Sequence, residues 1–182
     1  EERVHASFDA GAFGSQNYSV TAGGLTDYGH IGLTFANTQT DGFRTNTGAR
    51  AQNYHTTFQS ADLFVPVKAD VSFMSSEKGV PGSLAFPTPN NSQSDRVFHA
   101  SAGMTVPYRA NASLQGDALL SQTERIYRDP AFGDNSTTNT RLLGGTMQNS
   151  WDLDDRNLIA GIDLRQERVT STNYSGTQST FG

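Results

Sequence analysis

Four histidines, His5, His30, His55 and His99, are the side chains best suited to metal or proton chemistry in this sequence. They are spread singly along it. None has a partner at the i, i+4 spacing that places two imidazoles on one helix face, and there is no cysteine to complete a thiolate set. No Gly-x-Ser-x-Gly elbow, His-Glu-x-x-His pair or phosphate-cradling glycine loop occurs, and the carboxylates are scattered without a pair placed for acid–base work. Asp152-Leu153-Asp154-Asp155 has the charge to hold a hard cation, but it reads as a tight, solvated reverse turn. No metal or cofactor is assigned, and an enzyme is not expected. What remains is chemistry of binding. Phe43, Arg44, Phe86, Tyr127, Arg128 and Phe132 combine aromatic contact area with guanidinium groups, a pairing enriched at binding hot spots.

Such residues need a scaffold, and the pattern that supplies it has a period of two. Val4, Ala6, Phe8 and Ala10 alternate with His5, Ser7 and Asp9, and Tyr18, Val20 and Ala22 with Asn17, Ser19 and Thr21. The same alternation carries Ile31, Leu33 and Phe35, then Tyr54 and Phe58, then Val67, Ala69, Val71 and Phe73. It continues through Phe98–Val106, Ala110–Leu120, Leu143–Trp151 and Leu158–Leu164. This predicts about nine long antiparallel strands and no helix, with the histidines and Asp9, Asp70, Asp117 and Asp163 all on the polar face.

Apart from a tight link at Phe13–Gln16, the connections alternate too. Short ones are expected at 24–27, 61–65, 107–108 and 152–156, and long ones at 38–50, 76–95, 127–139 and from Thr172 onward. In an up-and-down sheet, alternate connections lie on opposite rims, so one rim is trimmed and the other carries the loop mass. Outer-membrane barrels show that asymmetry. An aromatic lies beside or within each short turn, namely Tyr28, Phe64, Tyr108 and Trp151, as expected of rings at a membrane–water boundary. The six binding candidates fall in the long connections.

The 182 residues carry a net charge of -5, with 35% hydrophobic, 10% aromatic and 17% charged residues. That balance gives no basic footprint for nucleic acid, and two lysines, Lys68 and Lys78, are too few for an anionic membrane surface to be expected as a partner. No apolar run approaches the ~20 residues of a membrane helix. Both ends read as cut from a longer chain. The apolar face is thin in large side chains, which suits lipid better than the packed core of a sandwich about 10 Å thick. Two alternatives remain open at this point: a passive, porin-like channel barrel, and a soluble or cell-surface β-sandwich used for binding.

The stretches "GAFGSQNYSVTAGG" (11–24), "DYGHIGLTFANTQTDGFRTN" (27–46), "SSEKGVPGSLAFP" (75–87) and "RNLIAGIDLRQERVTST" (156–172) resemble the first part of the barrel of TonB-dependent outer-membrane receptors, in their cobalamin- and siderophore-receptor branches. The resemblance implies an all-β, up-and-down transmembrane barrel segment, with residues 1–182 forming its N-terminal part and the plug and remaining strands absent. It implies residence in the outer membrane among its lipids, and uptake of an iron-siderophore or corrinoid captured by external loops. The TonB complex would act through the absent plug. Cobalamin receptors can hold calcium with loop aspartates; Asp41, Asp95, Asp129 and Asp134 do not match that pattern residue by residue, so no metal site is assigned.

Overall fold

The computed structural model describes residues 3–60, 65–153, 155–172 and 177–181, the last as backbone. It is one antiparallel sheet in which each strand pairs with its sequence neighbours. The strands are β1 (Arg3–Ala10), β2 (Gln16–Thr26), β3 (Gly29–Thr40), β4 (Ala49–Ser60), β5 (Val67–Gly79), β6 (Ser92–Arg109), β7 (Ala112–Asp129), β8 (Asp134–Leu153), β9 (Arg156–Ser171) and β10 (Thr177–Phe181). No helix occurs among the described residues. The architecture is that of a β-barrel segment, open between β1 and β10.

The register confirms which residues share a face. Phe8 opposes Tyr18, Val20 opposes Phe35, Phe35 opposes Tyr54, Tyr54 opposes Phe73, and Phe73 opposes Phe98. The other face carries hydroxyl pairs such as Ser7–Ser19 at 2.8 Å and Thr21–Thr34 at 3.2 Å. That polar face is concave and encloses a trough of about 880 Å³ bordered by His30, Lys68, His99, Asp117, Asp163 and Arg165. His55 Nε2 and Asp70 Oδ2 are hydrogen-bonded on the same wall.

Only Ala112 is a buried apolar side chain among the described residues. A sandwich needs a second sheet and an interdigitated core, and this fold has neither, so the β-sandwich alternative is set aside.

Three expectations from the sequence are corrected. The short turn expected at 107–108 falls at 110–111, because β6 stays paired with β7 through Pro107 to Arg109. A tenth short strand, β10, pairs with β9 where a long connection from Thr172 was expected. The connection expected over 127–139 shrinks to residues 130–133, because β7 and β8 stay paired out to Asp129 opposite Asp134. The residues there, Asn135 to Thr140 among them, are polar on both faces, so alternation of hydrophobicity no longer reports the strand although the backbone ladder continues. Tyr127 and Arg128 therefore sit in β7 rather than in a loop.

Where they are described, the trimmed-rim turns are tight. Thr26 makes the first: its hydroxyl accepts from the Tyr28 and Gly29 amides at 3.3 and 3.2 Å and donates to the Gly29 carbonyl at 2.8 Å. Phe64, one of the four turn aromatics, lies outside the described residues.

Candidate functional site: a hydrogen-bonded loop rim with apolar tips

On the opposite rim the fully described connections are 11–15, 41–48, 80–91 and 130–133. In loop 41–48, Thr47 closes the turn by accepting from the Arg44 amide at 3.2 Å and donating to the Arg44 carbonyl at 2.7 Å. The turn places Asn46 at a φ of 59°, in the left-handed region that Asn tolerates better than most residues. From there its amide nitrogen donates to the carbonyls of Val80 at 3.1 Å, Thr88 at 2.7 Å and Asn91 at 2.8 Å. One side chain in the first long loop thus holds both stems of the second.

Loop 80–91 is itself closed. The Thr88 amide donates to the Pro81 carbonyl at 2.9 Å, the Thr88 hydroxyl to Val80 at 2.5 Å, and the Phe86 amide to the Ser83 hydroxyl at 3.0 Å. Gly82, with φ of 68°, makes the reversal, and a Cβ there would sit against the Phe86 carbonyl. Asn91, almost wholly buried, then donates to the Tyr127 hydroxyl at 2.7 Å and to Asp129 Oδ2 at 2.9 Å. Asp129 Oδ1 in turn accepts from the amides of Ala131 and Phe132 at 3.1 and 3.3 Å, shaping the 130–133 turn. At the other end, the Asp41 amide donates to the Phe13 carbonyl at 2.9 Å, and Phe13 itself adopts a φ of 58°. A bulky residue in that conformation is strained and is held there by its surroundings. A continuous chain of hydrogen bonds runs from connection 11–15 through 41–48 and 80–91 to 130–133.

What this scaffold displays is apolar. Phe43 is 74% exposed, Leu84 88%, Phe86 81% and Phe132 85%. Large exposed hydrophobic side chains on ordered loops are a feature that interaction surfaces share.

The six candidates of the sequence therefore divide. Phe43, Phe86 and Phe132 are exposed at the tips. Arg44 is a strut: its Nη2 donates to the Gly82 carbonyl at 2.7 Å, and its Nε is shielded from solvent without a partner among the described residues. Tyr127 faces the concave side and supports Asn91. Arg128 points to the opposite face of β7 and is exposed.

Below the loops, on the concave side, Asp95 accepts from Arg125 Nε at 2.6 Å and Gln93 Nε2 at 2.7 Å. Burial pushes its carboxyl up, but the Arg125 and Gln93 hydrogen bonds, with the Arg125 and Lys78 charges, outweigh that and hold it below the ordinary aspartate value. The pair stabilises this rim at neutral pH, and its contribution is lost as pH falls through the lowered pKa of the carboxylate. Among the described residues, no three His, Asp or Glu side chains converge as a metal site would require.

Asn46, Asn91 and Gly79 were not singled out in the sequence, since single asparagines and glycines in a polar loop look alike. Gly79 matters because loop 41–48 rests on it: its amide donates to the Gly48 carbonyl at 2.9 Å, and a Cβ would overlap both Oδ1 and the carbonyl of Asn46. Gly79→Val is expected to pry the two loops apart. Limited proteolysis of the folded chain should then show cleavage within 80–91 at least tenfold faster than in the parent, with the strands still intact. Equal rates would mean that the clasp is unimportant.

The convex face carries a second feature missed in the sequence. Tyr18, Phe35, Tyr54 and Phe73 form a row of adjacent rings with centroids 5.9, 4.9 and 6.4 Å apart, extended by Phe98. Each strand contributes one aromatic at a similar remove from its short turn. That spacing was the available signal, but only the register makes it a row. At the trimmed rim, Tyr28 is exposed in its turn, the Tyr108 hydroxyl donates to Asn149 at 2.9 Å on the convex face, and Trp151 lies beside it on β8.

The class of protein is thus a wall of an up-and-down β-barrel whose apolar side faces outward. No family model and no curated protein sequence matches the chain. Among solved structures it is similar to one described as "Copper transporter OprC", with a TM-score of 0.76 and 17% identity over 96% of this chain. The chain spans 29% of that structure's length. At this identity the likeness shows the fold.

Proposed function

We propose that the chain is part of an outer-membrane transporter barrel whose external loops capture a small-molecule ligand, with no covalent chemistry. The observation that carries the reading is the spacing of the two aromatic levels. Tyr108 lies about ten residues beyond Phe98 on β6, or about 33 Å of strand at ~3.3 Å per residue. With the ~45° tilt usual in such barrels the levels stand roughly 24 Å apart, matching the ~25 Å apolar band of a transmembrane barrel. Between them the outward residues of β6 and β7 are Ala, Gly, Val, Leu and Met, with nothing among the described residues covering them. β6, β7, β8 and β9, of 18, 18, 20 and 16 residues, exceed the 9–11 residues a crossing needs and lift the loop rim clear of that band.

The resemblance to TonB-dependent receptors supports an iron-siderophore or corrinoid as the cargo, residues 1–182 as the N-terminal part of the barrel, and coupling to the TonB complex through a plug. The structural neighbour's name adds copper to the classes worth testing. The locked rim supports capture over passive flow, because exposed rings on pre-ordered loops bind without first losing loop entropy.

The test is equilibrium binding of ferric catecholate and hydroxamate siderophores, cyanocobalamin and Cu(II) to the detergent-folded chain and to its F43A/F86A/F132A variant. At least one probe is expected to bind, with affinity at least tenfold weaker in the variant. If no probe binds the parent, or the variant binds equally well, loop capture is wrong.

A further inference from the structure

On the convex face, Arg141 of β8 and Arg168 of β9 stand directly opposite each other. Like charges in that position destabilise a strand pair. No carboxylate offsets them: among the described residues neither guanidinium makes an ion pair or a side-chain hydrogen bond. On the same face Arg141 is flanked along β8 by Asn139 and Leu143 and opposed by Gln122 across β7. Arg168 is flanked along β9 by Gln166 and Thr170. The nearby Arg96 behaves differently, since it meets Glu124 at 3.2 Å. Three guanidiniums and one carboxylate thus occupy one patch of outward surface.

The place of this patch gives it meaning. Gln122, Arg141 and Arg168 continue the ladder row of Phe73 and Phe98. The outward residues next toward the trimmed rim are Leu120 on β7 and Leu143 on β8, and on β9 Gln166 followed by Leu164; these leucines form the edge of the apolar band. A lipid whose chains cover those leucines brings its headgroup to the arginines. Two adjacent guanidinium forks fit the oxygens of a phosphate better than any neutral headgroup, because each can donate two parallel hydrogen bonds to it.

We propose that Arg141 and Arg168, with Arg96 at the margin, clamp a phosphate of a phosphorylated glycolipid of the outer leaflet. This rests on the membrane-barrel reading above. The apolar edge beside the arginines favours a lipid over a free anion. The overall lysine count gave no hint of such a surface, because the charge is local and made of arginine.

The experiment follows binding of diphosphoryl lipid A, by native mass spectrometry, to the full chain in neutral detergent. In parallel, fluorescence of the single tryptophan, Trp151, is read in vesicles of brominated phosphatidylcholine. Lipid A affinity is expected to fall at least tenfold in R141Q/R168Q and to recover partly in R141K/R168K, and equimolar inorganic phosphate should not displace the lipid. Trp151 quenching should be the same in all three proteins, showing equal insertion. Unchanged affinity in R141Q/R168Q, with Trp151 quenched, overturns the clamp and leaves the barrel standing. Displacement by inorganic phosphate shows a site for free anions and also overturns it. An unquenched Trp151 in the parent overturns the membrane reading and the clamp together.

Discussion

Ala102→Arg is expected to weaken folding into a bilayer by about 2–4 kcal/mol, the penalty for a cation near the midplane of a barrel's lipid face. Ala102 lies on the convex side of β6, roughly midway between Phe98 and Tyr108, opposite Ala69 and Ala118. A guanidinium there would stand among methyl groups with no acid within the band to meet it. The adjacent residue provides the control. Ser101 faces the concave trough, beside Asp70 on the neighbouring strand, so Ser101→Arg should change stability by less than about 1 kcal/mol, as a hydrated surface charge does. Urea titration of the chain folded in phosphatidylcholine vesicles measures both. Equal effects at the two positions would show that the two faces meet the same solvent, and the barrel assignment would fail.

The second large effect is expected at Asn46. Removing its amide leaves the Thr88 carbonyl without a partner among the described residues, while the Val80 carbonyl keeps the Thr88 hydroxyl and the Asn91 carbonyl keeps the Val80 amide. Each shielded group that loses its partner costs about 1–3 kcal/mol. Asn46→Ala also places alanine at a φ of 59°. Asn46→Gly relieves the backbone and isolates the loss of hydrogen bonds. Hydrogen exchange at the amides of Val80 and Thr88, both bonded within the clasp, should accelerate at least a hundredfold in Asn46→Ala and somewhat less in Asn46→Gly. Exchange within β7, around Leu119, should stay as in the parent. If Val80 and Thr88 remain protected, the loops hold themselves closed and Asn46 is incidental.

The strands were legible where the two faces differ. Val71 and Phe73 against Asp70 and Ser72 mark β5, and Leu158 to Leu164 mark β9, because each second residue meets a different medium. The signal vanished where both faces meet water. Ser136, Thr138 and Thr140 share β8 with residues no more apolar than themselves, so the last three residues of β7 and the first six of β8 read as loop although eighteen residues of each strand are paired. The exposed tips were legible as a class, since Phe43, Phe86 and Phe132 are conspicuous in polar stretches. Their supports were not. What Arg44 and Tyr127 touch depends on contacts with residues more than thirty positions away, such as Arg44 with Gly82 and Tyr127 with Asn91. Period and composition carry no information about such pairs. The Arg141–Arg168 pair is hidden for the same reason, being adjacent only once the register of β8 and β9 is known.

Every pairing among the described strands joins consecutive ones. Such a chain can be assembled like a zipper, each hairpin offering its free edge as the template for the next, with little entropy lost to closing distant loops. The clasp on the loop rim follows a different clock. Asn91 can reach Tyr127 and Asp129 only after β7 has docked on β6, and Asn46 can grip loop 80–91 only after β5 and β6 have formed. The rings at the tips are therefore fixed in place late, when the wall beneath them already stands.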